Sequence, residues 1–92
     1  MEIEFDPEKR LRTLLERGLD MADVWRVYEG PVLTFDDRRF EYLEERKITI
    51  GYLRGRMVLF AWTPRGRNIR VISLRKVNER EQKLYGKQLA RS

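Results

Sequence analysis

The segment Ile69-Arg70-Val71-Ile72-Ser73-Leu74-Arg75-Lys76 sets three cations into an apolar, β-branched run of the kind that forms a strand. A guanidinium carried on a strand moves less than one on a loop, and its fork of donors matches the oxygens of a phosphate. Strict alternation places Ile69, Val71, Ser73 and Arg75 on one face, with Arg70, Ile72, Leu74 and Lys76 on the other. Arg70 and Arg75 therefore share a site only at a twisted strand end or a bulge. The rival role for these side chains is to snorkel outward and keep the sheet soluble. Upstream, Glu45-Arg46 leads into Ile48-Thr49-Ile50, and alternation puts Arg46 on the face of the two isoleucines. A charge there needs a partner, because unpaired burial is costly. An ion pair with Glu44, Glu45 or Glu81 and a grip on phosphate both meet that need. Arg54/Arg56 and Arg65/Arg67 occupy expected hairpin tips, where charge is tolerated and where a nucleic-acid backbone could be held. Tyr85 reads as a helix-to-sheet contact whose hydroxyl is within reach of the cations.

The types that are missing narrow the chemistry. The chain has no histidine and no cysteine, so imidazole and thiolate mechanisms, disulfides and the usual zinc ligands are excluded. Proton transfers would have to use carboxylate, phenol, lysine, arginine or water. Asp36-Asp37 and Glu44-Glu45 are adjacent pairs that point apart on a strand, so neither suggests a metal site. Neither a Walker loop nor a dinucleotide fingerprint is present, and no cofactor is expected.

The charge distribution gives the partner class. From Arg46 to Ser92 there are 13 Lys/Arg against two acids, a net +11; from Met1 to Glu45 there are 7 against 13, a net −6. Between Arg54 and Val77 seven cations occur with no carboxylate. Such a surface concentrates and steers polyanions, so nucleic acid or an acidic protein is the leading partner.

These residues need elements to hold them. Ninety-two residues with 41% apolar and 11% aromatic side chains suit one small domain, spanning 1–92. Glu2 to Phe5 alternates as an edge strand would. Asp6-Pro7 is an N-cap with proline at the first helical position; Leu11, Leu14 and Leu15 follow at helical spacing, and Gly18 supplies the left-handed exit. Asp20 caps a second helix, in which Met21, Val24, Trp25 and Tyr28 form a stripe and Leu19 staples to Val24; Gly30-Pro31 ends it. Val32 to Phe35 is a short strand and Asp36 to Tyr42 a charged loop. Three strands follow: one from near Glu45, a central one from Met57 to Thr63, and the last from Ile69 to Lys76. They are joined at Arg54-Gly55-Arg56 and by a type I turn over Thr63-Pro64-Arg65-Gly66. Asn78 and Glu81 form a capping-box start for a helix running to about Leu89. Trp25, Tyr28, Phe60 and Trp62 are most simply core, although Trp62 near a strand end could stack on a base. The order predicts an α+β fold: an N-terminal strand, two helices, an antiparallel meander and a C-terminal helix. The acidic and apolar alternation at the N-terminus is unlike a signal peptide, and no apolar run approaches the roughly 20 residues of a membrane span. A cytoplasmic location, with no membrane association, is expected.

The chain resembles the BrnT family of bacterial type II toxins, small ribonuclease-type toxins distantly similar in fold to RelE. The residues that carry the likeness are Phe5-Asp6-Pro7-x-Lys9, Gly18-Leu19, Glu45-Arg46 with Ile48-Thr49-Ile50-Gly51, and Thr63-x-Arg65-Gly66. Most specific is Ile69-Arg70-Val71-Ile72-Ser73-x-Arg75-Lys76, followed by Glu81 and Tyr85. Phe5 stands where the family usually has tryptophan, Thr13 where it has asparagine, and Glu16-Arg17 where it has Lys-His. The resemblance implies an RNA-cleaving toxin that arrests translation. It implies silencing by a ribbon-helix-helix antitoxin, contact with operator DNA only through that antitoxin, and a toxin dimer inside the complex.

Residues and resemblance together point to metal-independent RNA cleavage by attack of the 2′-hydroxyl on the adjacent phosphate. Arg46, Arg70 and Arg75 would stabilise the growing charge. Lys76, with Ser73, Arg65 and Arg67, would bind RNA, or Lys76 would neutralise the departing 5′-oxygen. Glu45 or Glu81 is the candidate base and Tyr85 the candidate acid. The alternative is a basic module that binds nucleic acid or an acidic protein without cutting.

Overall fold

The local signals at each helix end act as the sequence suggests. In the computed structural model, which describes residues 1–91, Asp6 accepts a hydrogen bond from the Glu8 amide and starts α1 (Pro7–Arg17), and Gly18 closes it at φ 68°. Asp20 caps the next segment through the Ala22 amide, but Met21–Glu29 winds as a 3-10 helix instead of an α-helix. Its buried side chains are Met21, Val24 and Val27, a spacing of three that matches three residues per turn. The expected stripe of four is thereby broken, and Trp25 turns outward with the Arg26 guanidinium 4.5 Å over its ring. The helix α2 (Glu79–Ala90) opens on a complete capping box between Asn78 and Glu81.

Five strands form one sheet: β1 (Ile3–Glu4), β2 (Leu33–Asp36), β3 (Lys47–Leu53), β4 (Arg56–Arg65) and β5 (Asn68–Lys76), in the order β1-β5-β4-β3-β2. β1 lies parallel to β5 at the edge, and the other pairs are antiparallel. The α+β arrangement is therefore the expected one. At the β3–β4 turn Arg54 and Gly55 both have positive φ, 52° and 79°, the pairing that matches the twist of a two-residue hairpin. The next turn differs from expectation. Pro64 stays in β4 opposite Ile69, and the chain reverses two residues later, with Gly66 at φ 59°. Proline is tolerated there because β3, whose pairing with β4 begins at Lys47 and Trp62, does not extend that far.

Each face of the sheet has its own apolar cluster. Leu19, Met21, Val24 and Val27 pack with Val58, Phe60, Val71 and Leu74 on one face. On the other, α2 lays Leu89 and Tyr85 with Val77 against Ile48, Ile50, Met57 and Ala61. Gly51 lets the 3-10 helix come close, since a Cβ there would lie 2.5 Å from Val27 Cγ1. α1 does not bury its leucines: Leu11, Leu14 and Leu15 are exposed, and Thr13 is its buried residue. It is tied to the sheet by Arg17, which donates to the Leu74 carbonyl at 2.8 Å.

Candidate active site

The strand β5 breaks its own alternation. Trp62 pairs with Val71 and Ala61 with Ser73, so Ile72 and Ser73 together oppose one residue of β4. This bulge moves Arg75 to the face it would otherwise miss. Arg75 pairs with Leu59 and Arg70 with Thr63, and both partners lie on the α2 side of β4. The obstacle set by strict alternation is thereby removed, and Arg70 and Arg75 share a face. Arg46 joins them from β3. It precedes Lys47, which pairs with Trp62, so it falls beside the row of Thr63 and Arg70, about two strand spacings or ~10 Å from Arg70 across the sheet.

Two of these arginines have side-chain partners that fix them. Arg75 donates two hydrogen bonds of 2.8 Å to the two carboxylate oxygens of Glu81. Those bonds, together with the Asn78 amide, hold Glu81 at about 2, far below its ordinary 4.5. In return Glu81 raises Arg75, as Tyr85 also does more weakly, whereas nearby Arg39 lowers it. Tyr85 stacks on Phe35 of β2 at 6.3 Å between centroids. Arg46 is not bound to Glu44, Glu45 or Glu81. Its guanidinium lies 4.2 Å over the ring of Tyr42, while those acids pair with Arg65, Lys47 and Arg75. Glu44 is lowered chiefly by its hydrogen bond with Arg65, and then by the charges of Arg65, Arg46 and Arg70, which groups these four residues at one end of the cleft.

Sequence reasoning missed the loop between β2 and β3. Asp37, with a side chain 1% exposed, accepts two bonds of 2.8 Å from Arg39 and one of 3.2 Å from the Tyr42 hydroxyl. The Arg39 bonds, ahead of the others, lower it to about 2. Its amide donates to the Arg46 carbonyl at 2.9 Å. Asp37 thus anchors both ends of a loop that brings Arg39, Tyr42 and Arg46 to the site. The interleaving of arginine and aromatic side chains, Arg39-Phe40-x-Tyr42, was the available signal.

Other expected members lie elsewhere. Glu45 is 3.2 Å from Lys47 Nζ, and that ion pair occupies its carboxylate. Lys76 pairs with Val58 and lines a groove with Asp20, Asp23, Arg54 and Arg56 at the far end of the strand. Ser73, at the bulge, lines a groove with Thr13 and Arg17 of α1. Arg67 is exposed at the turn, whereas Arg65, bonded to Glu44 at 2.8 Å, stays with Arg46 and Arg70 at the site. Trp62 donates to the Thr49 hydroxyl at 2.8 Å and packs with the core. Among the described residues no three carboxylates converge as metal ligands would, and no helix is long and apolar enough to cross a membrane.

What remains is a recess on the α2 side of the sheet, walled by α2 and the Asp37-anchored loop, with arginines from three segments facing it. A search of curated proteins gave no match. Residues 5–81 match the model of a family described as the ribonuclease toxin, BrnT, of type II toxin-antitoxin systems. That match takes in the bulged strand, the loop and Glu81, and the chain belongs to the BrnT family of ribonuclease toxins.

Proposed function

We propose that this toxin cleaves RNA without a metal ion, by transesterification at a phosphate held among Arg46, Arg70 and Arg75. The observation that carries the reading is the bulge at Ile72-Ser73, which gathers Arg70 and Arg75 on the face that Arg46 also borders. The RNA 2′-oxygen attacks phosphorus, the P–O5′ bond breaks, and the products are a 2′,3′-cyclic phosphate and a free 5′-hydroxyl. Charge accumulates on the nonbridging oxygens in the transition state, and prepositioned guanidinium groups stabilise it without reorganising. The 2′-hydroxyl proton passes to water. Glu81, held at about 2 by Arg75, is too weak a base for that proton; it positions Arg75. The Tyr85 phenol, near enough to raise Arg75, protonates the departing 5′-oxygen and is reprotonated by water.

The same face also serves silencing. An antitoxin of ribbon-helix-helix type, which alone contacts operator DNA, covers the recess, and two toxin chains assemble in that complex. Cleavage arrests translation.

The test uses purified protein free of its partner. RNA should be cut in EDTA to products ending in cyclic phosphate, and the deoxyribonucleotide analogue should remain intact. Cleavage that appears only with added magnesium or manganese would overturn the mechanism. RNA binding without any cleavage would instead leave a basic binding module.

A further inference from the structure

The loop from Asp37 to Arg46 carries features that the cleavage chemistry does not use. Phe40 is 70% exposed and Leu43 fully so, yet the loop is tied down at both ends through Asp37. Phe40 meets Tyr42 edge to face at 6.0 Å, and Tyr42 in turn carries the Arg46 guanidinium on its face. Together with Asp37, Arg39 and Glu41 these side chains line an open groove of about 550 Å³. That volume lies within the range that small planar ligands fill.

The charges indicate what fits. Five carboxylates and three arginines, Arg38, Arg39 and Arg46, border the groove, so its lining offers a phosphate no net positive charge. Four of the carboxylates are already engaged: Asp36 with Lys47, Asp37 with Arg39, Glu44 with Arg65 and Glu45 with Lys47. A neutral π-surface suits such a place, and the exocyclic amino groups of a nucleobase can donate to the acidic rim. Arg46 belongs to the groove and to the cleavage recess alike, so a strand whose phosphate sits at the arginines passes a base within reach of the loop.

We infer that Phe40, braced edge to face by Tyr42, stacks on an unstacked base flanking the cleaved phosphate, and that this loop sets the toxin's preference for single-stranded RNA. Aromatic side chains on a fixed support are how single strands are gripped elsewhere, because every base offers a π-face. The inference rests on the cleavage reading above and extends it to substrate recognition.

Binding of a short single-stranded RNA, made uncleavable by a 2′-deoxy substitution at the mapped cleavage position, can be followed by fluorescence anisotropy with the full chain. Phe40→Ala should weaken binding roughly 5- to 150-fold, the loss of one stacked base. Phe40→Trp should keep the affinity, and Phe40→Leu, which preserves apolar bulk without a ring, should not. An abasic nucleotide scanned along the strand should, at one position, weaken the wild type by a similar factor and add nothing to Phe40→Ala. Leu15→Ala, on the exposed face of α1, serves as the control that leaves binding unchanged. Wild-type cleavage combined with undiminished binding by Phe40→Ala would overturn the stacking role and leave the cleavage reading standing. So would a Phe40→Ala defect confined to affinity for the antitoxin, which would make the loop a protein-docking surface. A wild type that neither binds nor cuts RNA would overturn both readings.

Discussion

Arg75 has a structural role in its pair with Glu81 and a proposed role in cleavage, and the two can be separated. Its fork is bound to both oxygens of Glu81, so it helps to hold the first turn of α2 while facing the recess. The side chain is 41% exposed, and a partly solvated pair of this kind contributes at most about 1 kcal/mol. Losing one prepositioned donor to a developing oxyanion costs roughly 10²–10³ in rate. Arg75→Ala is therefore expected to lower cleavage by about that factor while the thermal midpoint falls by less than ~8 °C. The pH profile gives an independent check. Glu81 folds with its carboxyl depressed to about 2, so its contribution is fully present above its ordinary 4.5 and is lost as pH falls toward 2. The acid limb of wild-type stability should include this window, and in Arg75→Ala the part due to Glu81 should shrink. Activity lost in proportion to unfolding would place Arg75 among structural residues only.

At the scale of elements, close approach decides which substitutions are tolerated. A methyl at Gly51 would meet Val27 at 2.5 Å and the Pro31 carbonyl at 3.2 Å, so Gly51→Ala should destabilise by about 1–3 kcal/mol through overpacking. Gly86 lies inside α2, where an added Cβ would find only Met57 at 3.9 Å. Gly86→Ala should accordingly stabilise by roughly 0.5–1 kcal/mol. Urea titrations of the two variants should move in opposite directions, and equal shifts would refute the packing account. This scale also shows what was legible in the sequence. Caps and stops were, because Asp6, Gly18, Asp20 and Asn78 act on their own neighbours. The bulge at Ile72-Ser73 was not, because neither residue is a glycine or other breaker and the register is set by pairing with β4. Nor was the outward turn of Leu11, Leu14 and Leu15, whose spacing fixes a helix face without naming what covers it. The identities of Arg46, Arg70 and Arg75 were legible from their place in strands. Their sharing one face required the bulge or twisted end that alternation demanded, whose place no residue marks, and the Asp37 anchor depended on a loop that no periodicity describes.

Across the whole molecule, the two chain halves of opposite charge do not form two opposite faces. Asp23 pairs with Arg54, Glu44 with Arg65, and both Asp36 and Glu45 with Lys47, so the acidic half neutralises part of the basic one. With Arg39 held by Asp37 and Arg75 by Glu81, the cations on the α2 side of the sheet that no carboxylate pairs, among the described residues of β3 to β5 and their flanks, are Arg46 and Arg70. Neutralising a toxin of this kind by direct cover requires an acidic or mixed antitoxin segment at that recess, lying across β5 and α2. Association should then be faster at low ionic strength, because exposed charges are screened beyond roughly 8–10 Å at 0.1–0.15 M salt. Hydrogen exchange with and without the antitoxin should show protection between Arg46 and Tyr85, most strongly in β5 and the first turns of α2. The exposed leucines of α1 should be protected only if a further protein chain packs there. Protection confined to Asp6–Glu29, with the recess unchanged, would mean that the antitoxin acts through conformation, and direct cover of the arginines would be refuted.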